Sequence, residues 1–175
     1  MDGDGLQRPH RLKNETLNAL KQIDVQLKRR HDLIPNLVQS VQGAMKFEQQ
    51  TLQAVIEARN QAVKLASGAD LQSVSKLAAA EQQLTGALGK LMAVVEAYPD
   101  LKATGNIAQL QEELTSTENK IGFARQLYND TATNYNTKQQ QFPTAIVAPM
   151  AGAKPAELWE ITDEAERAVP QVKLN

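Results

Sequence analysis

The sequence has no cysteine, which excludes disulfides, thiol nucleophiles and thiolate metal sites without separating a reducing compartment from an oxidising one. Aromatic residues are scarce at 4%, with a single Trp. Histidine occurs only as His10 and His31. No stretch approaches the roughly 20 consecutive apolar residues of a membrane span. The longest candidates, Leu91–Val95 and residues 145–151, are far too short. The formal net charge of −1 leaves no global field to draw the chain to nucleic acid or anionic lipid, so no nucleic-acid partner is expected.

What is abundant is Leu, Ala, Val, Gln, Glu and Lys, the stock of helices, in a chain of 175 residues that fits one domain. Near the end a seam recurs in steps of three and four: Ile107, Leu110, Leu114, Thr117, Ile121, Ala124, Tyr128, Thr131, Tyr135, Lys138 and Phe142. Eight of these 11 positions are apolar or aromatic. Only Gly122 interrupts otherwise good helix formers, which predicts one helix of about 36 residues and about 54 Å. Such a helix must lay its stripe on others.

The same spacing runs from Leu12 through Leu17, Leu20, Ile23 or Asp24, Leu27, Arg30, Ile34, Leu37, Val41 and Met45. Pro35 breaks the rule, because it lacks the N–H owed to the carbonyl of His31, so a kink or a restart capped by Asp32 is expected there. After Gly43, a second helix carries Leu52, Val55, Ile56, Arg59, Val63 and Ala66. Ser67-Gly68 closes it, Asp70 is a cap for the next, and Leu71, Val74, Ala78, Glu81, Leu84, Leu88, Leu91, Val95 and Tyr98 form a third stripe. Tyr98-Pro99 stops that helix, and Asn106 caps the long fourth. The expectation is an all-α antiparallel four-helix bundle over residues 11–142, with long first and fourth helices. Residues 1–10 read as an irregular start or a leader added to the natural chain. Residues 143–175 read as an irregular Pro-rich tail, with at most one helical turn around Ala156–Ala168.

Chemistry-bearing constellations are few. A carboxylate-bridged metal pair in a bundle needs Glu-x-x-His steps, and neither histidine follows a Glu by three. No triad or phosphate loop is present, so no catalytic, cofactor or metal site is expected. Lys28, Arg29, Arg30 and His31 form a basic cluster that either meets lipid phosphates or an acidic partner, or is a solvated face paired with Asp24 and Asp32. Glu118, Asn119 and Arg125 flank the seam of the fourth helix, where long side chains reach neighbouring helices. Tyr128 and Tyr135 are core candidates with hydroxyls at the rim. Tyr135 and Phe142 also lie on the projecting end of the fourth helix, where apolar surface is open to a partner unless the tail folds back and covers it with Leu158 or Trp159. Trp159 reads as the anchor of that tail.

Several blocks resemble the LemA family: Ile23-Asp24-Val25-Gln26-Leu27-Lys28-Arg29-Arg30-His31-Asp32-Leu33-Ile34-Pro35-Asn36-Leu37-Val38, then Ala58-Arg59-Asn60, then Leu91 through Lys102. The run continues with Leu110–Leu114, Glu118–Ile121, Ala124–Asn129 and Tyr135-Asn136. The resemblance spans about Arg11 to Phe142, and weakly the tail through Arg167. It implies a bacterial four-helix-bundle protein, tethered by one N-terminal transmembrane helix and defined by no enzymatic activity; a related branch serves magnetosome membranes. No apolar anchor precedes Arg11 here, so either an upstream segment supplies it, which is the expectation, or the chain is a soluble variant of the family.

The leading expectation is thus a non-enzymatic, membrane-anchored scaffold or interaction module at the cell envelope with an unidentified protein partner. A magnetosome-membrane paralogue is one alternative, and a hydrolase or metal-dependent enzyme is the other.

Overall fold

A computed structural model of the chain describes residues 3–44, 48–141 and 154–160. Its described elements are all helical: α1 (Gly3–Gln42), α2 (Gln49–Ala66), α3 (Val74–Val95), the single turn α4 (Pro99–Lys102) and α5 (Gly105–Gln141). Besides the four long helices expected, Pro99, favourable in a first helical turn, starts the single turn α4. α1 and α5 pack antiparallel along their lengths, with Arg30 bonded to Glu118 and Ser40 to Asn106. α2 and α3 pack on each other, and α2 packs on α1.

Buried apolar side chains form two clusters. One joins Ile34, Leu37 and Val41 of α1 to Leu52 and Val55, to Leu84–Val95 positions of α3, and to Ile107, Leu110 and Leu114. The other joins Leu20, Ile23 and Leu27 to Leu71, Val74 and Leu77, and to Ile121, Tyr128, Ala132 and Tyr135. Each fully buried Leu or Ile contributes about 1.5–3 kcal/mol over its exposed state. Between the two clusters, at the level of Arg30, Glu81 and Thr117, the interior is polar.

The sequence reading is corrected at several points. Residues 3–10, expected to be a disordered or added start, continue α1: extending an existing helix adds a bond for each residue fixed except Pro9, which has no N–H, and Leu6, Gln7 and Arg8 are good helix formers. α1 also runs through Pro35 without a restart, and Asp32 is an exposed mid-helix residue rather than a cap. The carbonyl that Pro35 leaves unpaired is taken up from outside the helix, since Arg59 Nε of α2 donates to His31 O at 2.9 Å. Neither Asp70 nor Asn106 is the cap of its helix. α3 begins after Ser73, with Asp70 Oδ1 accepting from Gln72 N in the preceding turn, and Asn106, inside α5, donates to Ser40 Oγ at 2.8 Å. Phe142 lies outside the described residues.

The Arg59 bond makes a testable pair. Arg59→Ala should cost about 1–3 kcal/mol by orphaning a partly buried carbonyl. In a Pro35→Ala background the restored N–H satisfies that carbonyl, and the cost should fall by at least half. Urea melts of the four chains decide this, and an equal cost in both backgrounds would show that Arg59 acts elsewhere.

Candidate functional site

The basic cluster does not sit on one surface. Lys28 and Arg29 are exposed, whereas Arg30 and His31 point inward, and Arg30 is only 2% exposed. The sequence reading of Arg30 as a surface contact is therefore corrected: it shares the stripe of Leu27 and Ile34, and its charge is met inside. Arg30 Nη2 donates to Glu81 Oε1 at 2.6 Å and to Glu81 O at 3.2 Å. Nη1 donates to Thr85 Oγ1 at 2.9 Å and to Glu118 Oε2 at 2.5 Å. The second Glu81 oxygen lies 2.6 Å from His31 Nε2. Arg30 Nε has no hydrogen-bond partner among the described residues. One buried carboxylate thus takes the two buried basic side chains of α1, Arg30 and His31, as burial of charge requires.

Above this layer α3 and α5 are separated by a groove. Over Arg30 it opens as a cavity of about 400 Å³ between Leu88, Gly89 and Met92 on one wall and Gln111, Leu114 and Asn119 on the other. It continues, through shared residues Arg30, Thr85 and Glu118, into a space of about 170 Å³ that ends at Trp159 and Glu160. Arg125 lines that second space.

The far end of the groove is filled by the extended segment 154–160. Asn136 of α5 accepts from Ala156 N at 2.8 Å and donates to Ala156 O at 2.9 Å. Asn129 does the same for Trp159, at 2.8 and 2.9 Å. Glu157 N donates to Leu71 O at 2.7 Å, and Tyr128 Oη donates to Glu157 O at 2.6 Å. The Glu157 carboxylate accepts from Ser75 N at 2.9 Å, supplying an acceptor at the start of α3 that the Ser73 side chain does not provide. Ala156 and Trp159 are buried. No helical turn forms over residues 156–160, because backbone groups of Ala156, Glu157 and Trp159 are spent on α5 and on Leu71 in the turn before α3.

Tyr128 and Tyr135 are both interior, so Tyr135 is not the open surface expected of it. The reason is the length of α1, whose Leu12 and Leu17 pack on the same cluster and cover the end of α5. Burial, and secondarily the Glu157 carboxylate, raises the Tyr128 pKa far above its ordinary value, and burial raises that of Tyr135. The folded chain therefore keeps protons that the unfolded chain releases near about pH 10. Stability should be flat below that pH and fall as pH rises through it, with Tyr128→Phe removing part of the fall. Denaturant melts from pH 8 to 11.5 measure this, and a parallel decline in both chains would exclude Tyr128.

Exposed apolar surface is concentrated at Phe123, Leu127 and Val25, Phe123 being 77% exposed. Among the described residues no group of three or more His, Asp or Glu is placed to hold a metal, and no helix is long and apolar enough to cross a membrane.

Comparison with known proteins adds the lineage. A family model described as the LemA family matches residues 19–174. The chain belongs to the LemA family. The matched range takes in all the residues of the polar layer and the docked segment. Protein LemA of Metamycoplasma hominis is 33% identical to this LemA-family chain over 135 residues, covering 77% of the chain and 59% of that protein. Magnetosome protein MamQ 2 of Paramagnetospirillum magneticum is 26% identical over 157 residues, covering 78% and 58%. Magnetosome protein MamQ of Magnetospirillum gryphiswaldense is 24% identical over 156 residues, covering 78% and 57%. The chain spans a little under three fifths of the length of these curated relatives.

Sequence reasoning missed the docking residues Asn129 and Asn136 and the Arg30–Glu81 pair. A signal existed for each. Two Asn one heptad apart are poor helix formers on a long helix, and Arg30 and Glu81 are lone charges of opposite sign in two apolar stripes.

Proposed function

We propose that this chain is the helical domain of a LemA-type, membrane-tethered bacterial protein that works without enzymatic activity as an antiparallel four-helix-bundle scaffold for other envelope proteins. The observation that carries this reading is the division of its polar groups. Among the described residues the buried acid and bases, Glu81 with Arg30 and His31, are bonded to one another rather than held free for proton transfer to a substrate. By contrast, the α3–α5 groove lies open beside them and already holds a chain segment by its backbone. The tether is supported by the family and by the greater length of the relatives, which leaves room outside the matched region for an anchor.

Cell fractionation of the natural gene product, expressed at its own level, tests the reading. The protein should sediment with membranes, resist alkaline extraction, dissolve in detergent and bring the same companions in fixed proportion. Partition into the supernatant would remove the tether, and recovery alone in detergent would remove the scaffold. Metal analysis of protein purified without chelator should find no stoichiometric iron, manganese or zinc, and finding one would reinstate an enzyme. The similarity to MamQ proteins supports a second reading, action at a magnetosome membrane. It predicts that the protein co-isolates with that organelle in a host that makes one.

A further inference from the structure

The docked segment shows what the groove recognises. The hydrogen bonds of Asn129 and Asn136 to Trp159 and Ala156 go to backbone atoms, so they hold an extended chain whatever its side chains. The spacing is matched. Seven residues along a helix rise about 10.5 Å, and three residues of extended chain cover about 10 Å. Side-chain selection comes from the burial of a small residue, Ala156, and of an aromatic three positions on, Trp159. The same flank of α5 continues beyond the segment as Arg125, Glu118 and Gln111, lining the groove toward the cavity between Leu88, Met92 and Leu114. On the opposite wall, Gly86 and Gly89 sit mid-helix where an added Cβ would meet nothing within 4 Å. Each costs α3 about 0.5–1 kcal/mol relative to Ala and keeps that wall low.

We propose that the α3–α5 groove is a peptide-binding site, that Lys154–Glu160 is its built-in occupant, and that its functional ligand is an extended segment of another protein carrying a small residue, an aromatic three positions on, and a large apolar residue about six or seven positions beyond that. This rests on reading the chain as an interaction module, and it names the partner's chemistry. The last spacing follows from geometry: the Leu114 level lies about 22 Å along α5 from Asn129, or six to seven extended residues. At that distance after Trp159 this chain's own sequence has Ala165 and Glu166, a poor match for an apolar cavity. A second copy would bring the same segment and would compete with a tethered one present at an effective concentration of about millimolar. A foreign segment that also fills the apolar half gains contacts that the segment 154–160 does not make.

Because Trp159 is the only tryptophan, full-length Trp159→Ala is silent, and the emission of an added peptide reports docking. The probes are a Lys-Pro-Ala-Glu-Leu-Trp-Glu peptide and two longer forms that add five Ser/Gly residues and then Leu or Lys. The short peptide should bind one-to-one with a saturable blue shift, the Leu form at least tenfold more tightly than the Lys form, and Asn129→Ala in the same background should weaken all three at least tenfold. Only the Leu form should displace the segment from the wild-type chain, read as a shift of Trp159 emission with the peptide Trp replaced by Phe. If Trp159→Ala loses its helical circular dichroism, Trp159→Phe replaces it with the same expectations. A folded variant that binds none of the peptides overturns the site, and equal binding of Leu and Lys forms overturns the partner motif. Wild-type dimers that exchange Trp159 between copies, seen by sedimentation, overturn the choice of a foreign ligand. Failure in any of these arms leaves the membrane fractionation result standing, so the two readings fail separately.

Discussion

Replacing Glu81 by Ala should destabilise the fold by about 3–5 kcal/mol, the cost of leaving a buried charge without its counter-ion. Arg30 would keep Glu118, whose side chain is 46% exposed, Thr85 and the backbone carbonyl of residue 81. His31 would lose the one ring partner shown for it. Glu81→Gln should cost less, because an amide oxygen still accepts from Arg30. Replacing the buried polar side chains together, Arg30→Met and His31→Leu with Glu81→Leu, should come out near neutral or stabilising, since apolar side chains join the two hydrophobic clusters without a desolvation cost. Denaturant melts followed by circular dichroism measure all three. A loss under about 1 kcal/mol for Glu81→Ala would mean that water reaches Arg30 and that the polar layer is not interior. The layer is therefore no argument for stability. Its physical use is register: with Arg30 bonded to α3 and α5 at once, neither helix slides past α1 without breaking it.

Tyr128→Ala should be of similar size, about 3–5 kcal/mol, as expected for truncating a fully buried aromatic. Tyr128→Phe should cost only about 0.5–1.5 kcal/mol, the net worth of the hydrogen bond to Glu157 O. The difference separates the two jobs of this side chain, packing the cluster with Ile23, Leu27 and Leu77 and holding the docked segment. Equal losses in the two variants would mean that the hydroxyl contact dominates and that the ring is poorly packed.

Periodicity made the helices legible, because a helix that buries one face must repeat its apolar residues at 3.6. The seam over Ile107–Tyr135 and the stripes of α1, α2 and α3 are of this kind. What periodicity cannot read is a polar group that behaves as core. Arg30, His31 and Glu81 occupy stripe positions yet are polar, and only the meeting of two such residues from helices about 50 residues apart in sequence turns a surface motif into an interior pair. Pro35 misled for the same reason: a rule about one helix said the backbone must break, and a donor from a second helix, Arg59, relieved it. The docked segment was least legible. It has no periodicity of its own, and its structure is set by Asn129 and Asn136, whose amides address backbone rather than side chains.

The central claim is that this segment closes the far end of the α3–α5 groove with its single tryptophan inside. Steady-state fluorescence of the wild-type chain, titrated with iodide, tests it most directly. Trp159 is 5% exposed, so its emission should be blue-shifted from that of free tryptophan, nearly unquenched in the folded chain and fully quenched on unfolding, with Asn129→Ala and Asn136→Ala each raising the native quenching. Native emission and quenching equal to those of free tryptophan would contradict the claim.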